Sequence, residues 1–131
     1  MNTLFSHVCV VTMDDRMSVW TDAFVGVTDG KISYLSKHAP EEKPDQIIDA
    51  TGMVLMPGLI NCHTHLPMQL LRGYADDLKL QEWLNDYIFP REDRLDGRCV
   101  RAATTLAVAE CLKFGVTSVS DMYYFCDDIC D

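Results

Sequence analysis

The sequence predicts an α/β chain, in which a β-rich N-terminal segment gives way to the first strand, helix and strand of a parallel-sheet domain. Three observations carry this. Between residues 4 and 36, short β-branched and aromatic runs alternate with period two around an Asp29-Gly30 turn. Residues 53–62 form a largely apolar run that ends in His63-Thr64-His65. After Asp96 a stretch of helical periodicity closes at Gly115 and is followed by a second β-like run, Val116 to Asp121.

Taken in order, the first runs are Leu4 to Thr12, Asp22 to Thr28 and Lys31 to Ser36. Asp29-Gly30 joins the last two as a hairpin turn, since Gly30 accepts the positive φ such a turn demands. Residues 39–45, with two prolines and several charges, read as a connector. From Val54 the pattern becomes that of a strand buried on both faces, running to His65. A long irregular stretch then extends to about Leu80, longer than a usual strand-to-helix connection, and so a candidate functional loop. Gln81 to Ile88 suggests a short helix that stops before Pro90. Asp96 is placed as N-cap of a helix from Gly97 to Phe114, with Val100, Ala103, Leu106, Ala107 and Cys111 as its inner face and Gly115 as C-cap.

Composition narrows the functional classes. Eleven basic against twenty acidic residues give a net charge of −9, which argues against nucleic acid, because phosphate binding is driven by clustered Lys and Arg. No apolar run approaches the roughly 18 residues of a membrane span, and the N-terminus lacks the basic start of a signal peptide, so a cytoplasmic protein without membrane attachment is expected. The six cysteines, at 9, 62, 99, 111, 126 and 130, show no framework spacing and read as free thiols.

His63 and His65 are the chemical centre of the chain. Side chains two apart on a strand project the same way, so both imidazoles can reach one metal ion at the C-terminal strand end, where (β/α) folds place their chemistry. On a regular strand Cys62 points to the opposite face.

The run from Met56-Pro57-Gly58 through His63-Thr64-His65 to Arg72-Gly73-Tyr74-Ala75-Asp76-Asp77 resembles the opening of the metal-dependent amidohydrolase superfamily. Within it, the similarity is greatest to S-adenosylhomocysteine/5'-methylthioadenosine deaminases, and it continues through Trp83-Leu84, Ile88-Phe89-Pro90-Arg91-Glu92 and Gly115 to Met122. The resemblance implies N-terminal β-sandwich strands (residues 1–53) followed by the first βαβ portion of a truncated (β/α)8 barrel (residues 54–131), since a closed barrel takes about 250 residues. The missing C-terminal part of the barrel is then the chain's first partner, with a homo-oligomer left open.

The same resemblance implies a hydrolytic deaminase acting on purine nucleosides. Such an enzyme must activate water near neutral pH, which one divalent cation does by lowering the pKa of water; Zn2+ is expected ahead of Fe2+. His63 and His65 match the first-strand metal ligands. The later His and Asp ligands and the proton-transfer residues have no counterpart here, because His7 and His38 precede the motif, so the isolated chain is expected to be inactive. Glu92 matches the carboxylate that holds the ribose hydroxyls, and read alone it is an acid at a helix start. Trp83 offers a flat face to a purine or thioether, or simply packs. Asp121 is a candidate for orienting the metal ligands from behind. Leu66, Met68 and Leu70 read as packing residues, and Arg72 as either a substrate contact or a salt bridge to Asp76 or Asp77. Alternatives are a guanine or cytosine deaminase, a triazine-type chlorohydrolase, or a non-catalytic fragment.

Overall fold

The computed structural model describes residues 1–130, which divide into two compact units parting between Pro57 and Gly58. In the first unit β1 (Thr3–Val11), β2 (Val19–Thr28) and β3 (Lys31–Ser36) form an antiparallel meander, and β4 (Gln46–Asp49) and β5 (Val54–Leu55) both lie parallel to β1. Because β2 occupies one side of β1, the short β4 and β5 follow one another along its other side, against Thr3–Ser6 and then Cys9–Val10. Alternation decides the core: Leu4, Ser6, Val8 and Val10 of β1 are buried in turn, and Val8 and Val10 pack with Ala23, Val25 and Ala50. Asp29 and Gly30 take φ of 51° and 75°, the paired positive values of the hairpin turn anticipated there.

The second unit is built on β6 (Leu59–Thr64) and β7 (Val116–Asp121), a parallel pair, with α3 (Gly97–Lys113) connecting back between them. Asp96 caps α3, its carboxylate accepting the Cys99 N–H at 2.8 Å, and Gly115 leaves the helix at φ 79°. That bond, with a smaller contribution from the Arg98 charge, holds the Asp96 carboxyl below its ordinary range. The cap is therefore fully present above the unfolded-state pKa and is lost as pH falls through the depressed folded value.

Several expectations change. The run from Val54 is not one strand: Val54–Leu55 joins the first sheet, the chain breaks at Pro57-Gly58, and β6 ends at Thr64 rather than His65. The expected division after residue 53 thus falls at the start of β5, while the compact units part four residues later, after Pro57, because β5 is hydrogen-bonded to β1. Nor is β6 buried on both faces, since Leu59 and Ile60 are 51% and 71% exposed. The stretch after His65 contains a 3-10 helix, Leu66–Leu71, which buries Leu66 while Leu70 stays exposed. The helix expected over 81–88 does not stop before Pro90: α1 (Leu80–Glu82) passes into a π-helical segment, Trp83–Ile88, and then α2 (Phe89–Glu92). On α3 the buried stripe is Val100, Ala103, Thr104 and Ala107, and Leu106 is exposed because it lies roughly 100° off that stripe. A further helix, α4 (Cys126–Cys130), follows β7.

Gly58 opens the second unit at a close approach, since a Cβ there would overlap the Thr117 side chain on β7. Thr117 is β-branched and stiff, so it yields little. Gly58→Ala should destabilise this unit by about 1–3 kcal/mol in denaturant unfolding, and Thr117→Gly on that background should recover much of the loss.

Candidate functional site

The site begins with the way β6 ends. Between Asn61 and Thr64 the β6–β7 register slips, three residues on β6 passing two on β7, which is the signature of a bulge at Cys62-His63. A bulge re-aims side chains, and here the imidazoles of His63 and His65 come together, Nε2 to Nε2, at 3.1 Å. Their rings meet edge to face at 86°.

Partners on the far side fix what these nitrogens can do. His65 Nδ1 lies 2.6 Å from the Met122 carbonyl, which can only accept, so Nδ1 carries the proton and Nε2 is left with its lone pair toward His63. Asp121 Oδ1 accepts both the Thr64 hydroxyl at 2.6 Å and the Leu66 N–H at 2.8 Å. These residues flank His65, so Asp121 anchors the Thr64 side chain on one side of it and the Leu66 backbone on the other. Its Oδ2 is buried without a protein partner.

This pair fits a metal ion. Two nitrogens bound at about 2.05 Å on a tetrahedral cation stand roughly 3.3 Å apart, close to the 3.1 Å observed. The structure supplies these two donors alone: among the described residues no group of three or more His, Cys, Asp or Glu side chains could hold a metal.

A cleft of about 360 Å³ opens beside His65 and is lined also by Met68, Trp83, Leu84, Ile88, Phe89, Glu92 and residues Met122 to Tyr124. Thus His65, Trp83 and Glu92, distant in sequence, share one cavity, and His63 contacts His65 from outside its lining. Glu92 is not a free helix-start acid: Oε1 accepts the Tyr123 hydroxyl at 2.6 Å. Burial pushes the Tyr123 phenol up, and the bond to Glu92 raises it further. The sequence singled out Glu92 but not Tyr123, whose only signal was its place two residues beyond the strand-end Asp121.

Arg72 lies outside the cleft lining, and neither Asp76 nor Asp77 is its partner. Its guanidinium forks onto Glu110 of α3, with Nη1 at 2.9 Å from Oε1, and also reaches Gln69 at 2.7 Å. Arg72 holds the Glu110 carboxyl below its usual range. This pins the 3-10 helix that follows His65 to α3, a structural use. All six cysteines are free; Cys62 is exposed on the bulge, and Cys126 and Cys130 lie on α4. No helix is long and apolar enough to cross a membrane among the described residues.

Residues 54–130 match the Amidohydrolase family. The 5'-deoxyadenosine deaminase of Methanosarcina acetivorans is 42% identical over 95% of this chain and 29% of its own length. The 5-methylthioadenosine/S-adenosylhomocysteine deaminase of Thermoanaerobacter pseudethanolicus is 36% identical over 98% of the chain and 30% of its own. A zinc-bound adenosine deaminase from Xanthomonas campestris superposes with a TM-score of 0.85 at 36% identity, over 98% of this chain and 30% of that one. The chain therefore spans about 30% of the length of the relatives it matches. With its strand-end histidine pair and a family match over more than half its residues, this chain belongs to the amidohydrolase family.

Proposed function

We propose that this chain is the N-terminal portion of a metal-dependent deaminase of adenine nucleosides, of the 5'-deoxyadenosine, methylthioadenosine and S-adenosylhomocysteine type. One observation carries the reading. The Nε2 atoms of His63 and His65 converge, and His65 lines a cleft that also holds the carboxylate of Glu92 and the indole of Trp83. The zinc-bound neighbour supports Zn2+ rather than Fe2+ as the cation, and six free thiols suit a reducing, cytoplasmic setting.

In this reading His63 and His65 hold the cation through Nε2, and the Met122 carbonyl keeps His65 in the tautomer that ligation needs. A divalent cation bound there supplies Lewis acidity, lowering the pKa of water toward neutrality. Trp83 gives the purine a flat apolar wall, and Glu92 accepts hydroxyl protons from the ribose. Asp121 keeps the backbone of residues 64 and 66 in place, so that His65 cannot swing out of register. The alternative of a base deaminase or chlorohydrolase would share the histidines but would give Glu92 no sugar to bind.

In the complete protein that carries these residues, His63→Ala or His65→Ala should remove zinc and activity together, read by metal analysis and by the change in ultraviolet absorbance as adenine becomes hypoxanthine. A variant that keeps stoichiometric zinc counts against the pair as ligands. The 131-residue chain alone, with two ligands among its described residues, should hold Zn2+ weakly and turn nothing over.

Glu92→Gln should leave metal content unchanged and lower kcat/KM on a ribonucleoside by roughly ten- to a hundredfold, the range of a lost charge-assisted hydrogen bond. On substrates lacking one sugar hydroxyl the penalty should shrink, because the two losses share an interaction. An equal penalty on ribose and both monodeoxyribose substrates would show that Glu92 does not read the sugar.

A further inference from the structure

Glu92 does not present two equivalent oxygens to the cleft. Oε1 is taken by the Tyr123 hydroxyl at 2.6 Å, and Tyr123 itself lines the cavity. A phenol that has donated its only proton still has lone pairs on oxygen. The pair therefore offers two neighbouring acceptors, Glu92 Oε2 and Tyr123 Oη, where an unpartnered carboxylate would offer its own two oxygens.

We propose that Glu92 and Tyr123 read a vicinal diol jointly, Glu92 Oε2 taking one sugar hydroxyl and Tyr123 Oη the other, so that Tyr123 is a specificity-determining residue. This rests on the reading of Glu92 as the sugar-binding carboxylate. Three consecutive residues tie the two halves of the site together. Asp121 holds Thr64 and Leu66, the Met122 carbonyl holds His65, and Tyr123 holds Glu92. The ring of Tyr123 lies 6.4 Å from that of His65, so short-range contacts made just beyond the end of β7 set the spacing between the diol site and the histidine pair. A ribose gripped here has its distance to the histidines set by Met122 and Tyr123, the two residues that follow β7. The phenol keeps its proton at neutral pH, as an ordinary tyrosine does, and burial and the nearby Glu92 move its pKa further up.

The test uses Tyr123→Phe in the complete protein, with ribose, 2'-deoxyribose and 3'-deoxyribose forms of one adenine nucleoside. KM on the ribose substrate should rise roughly five- to tenfold with kcat changed by less than about twofold, the scale of one neutral hydrogen bond. The penalty should vanish on one monodeoxy substrate and persist on the other. An equal penalty on all three, or a fall in kcat with KM unchanged, would overturn the joint reading and leave Tyr123 a packing residue.

Glu92→Gln measured on the same three substrates separates the two failures. If Glu92→Gln discriminates among the sugars and Tyr123→Phe does not, only the role of Tyr123 falls; if neither does, the sugar assignment falls with it. Should Tyr123→Phe fail to fold, 3-fluorotyrosine at position 123 keeps the shape, and its fluorine resonance can be followed while the unreactive hypoxanthine nucleoside is added. A shift with the ribose form and none with the 2',3'-dideoxy form supports the proposal, and the same response to both overturns it.

Discussion

The carboxylate of Asp121 is the constraint on which the rest of the site depends. A strand end normally frays, since its last backbone groups lose their ladder partners. Here one carboxylate oxygen receives the Thr64 hydroxyl and the Leu66 N–H, and the Met122 N–H continues the ladder onto the Thr64 carbonyl at 3.0 Å. The backbone around His65 is thus fixed from both sides. A buried carboxylate oxygen left without a protein partner is costly, and Asp121 carries one at Oδ2 beside the two bonds that Oδ1 accepts. With the strand end anchored, the bulge before it can spend its distortion on aiming His63 at His65.

What the sequence made legible was local chemistry. The Asp29-Gly30 turn, the Asp96 cap and the Gly115 exit depend on groups within a few residues, so residue type alone announces them. The non-local pairings gave no such signal. The parallel docking of β4 and β5 on β1 joins residues about forty positions apart and follows no pattern in either segment. The partner of Arg72 was missed for the same reason: Asp76 and Asp77 are near in sequence, but Glu110 is brought near by α3. The histidine pair was reached from the right residues by an incomplete route. Period-two alternation assumes a regular strand, whereas the structure brings the rings together with a bulge before His63 and a chain that leaves the strand at Thr64, with His65 at φ −134°, ψ 71°.

The placement of Trp83 and Glu92 on one cleft needs a further explanation, because nine residues of α-helix turn through about 900°, which sets two side chains roughly 180° apart. On an unbroken helix they would face opposite ways. Pro90 supplies the reason they do not. It lacks the N–H that would bond to the carbonyl four residues earlier, so the turn before it has no reason to keep α register. The structure instead widens that turn: the Phe89 N–H bonds to the Leu84 carbonyl, five residues back, and α register returns when the Asp93 N–H reaches the Phe89 carbonyl. A π segment takes up roughly one extra residue, about 100° of rotation, which brings the two side chains to within roughly 80° of each other. That is close enough for an indole and a carboxylate to line the same cavity, as they do. The proline that seemed to end a helix therefore acts within it, and the wide turn it permits is what converts two residues on opposite helix faces into two walls of one site.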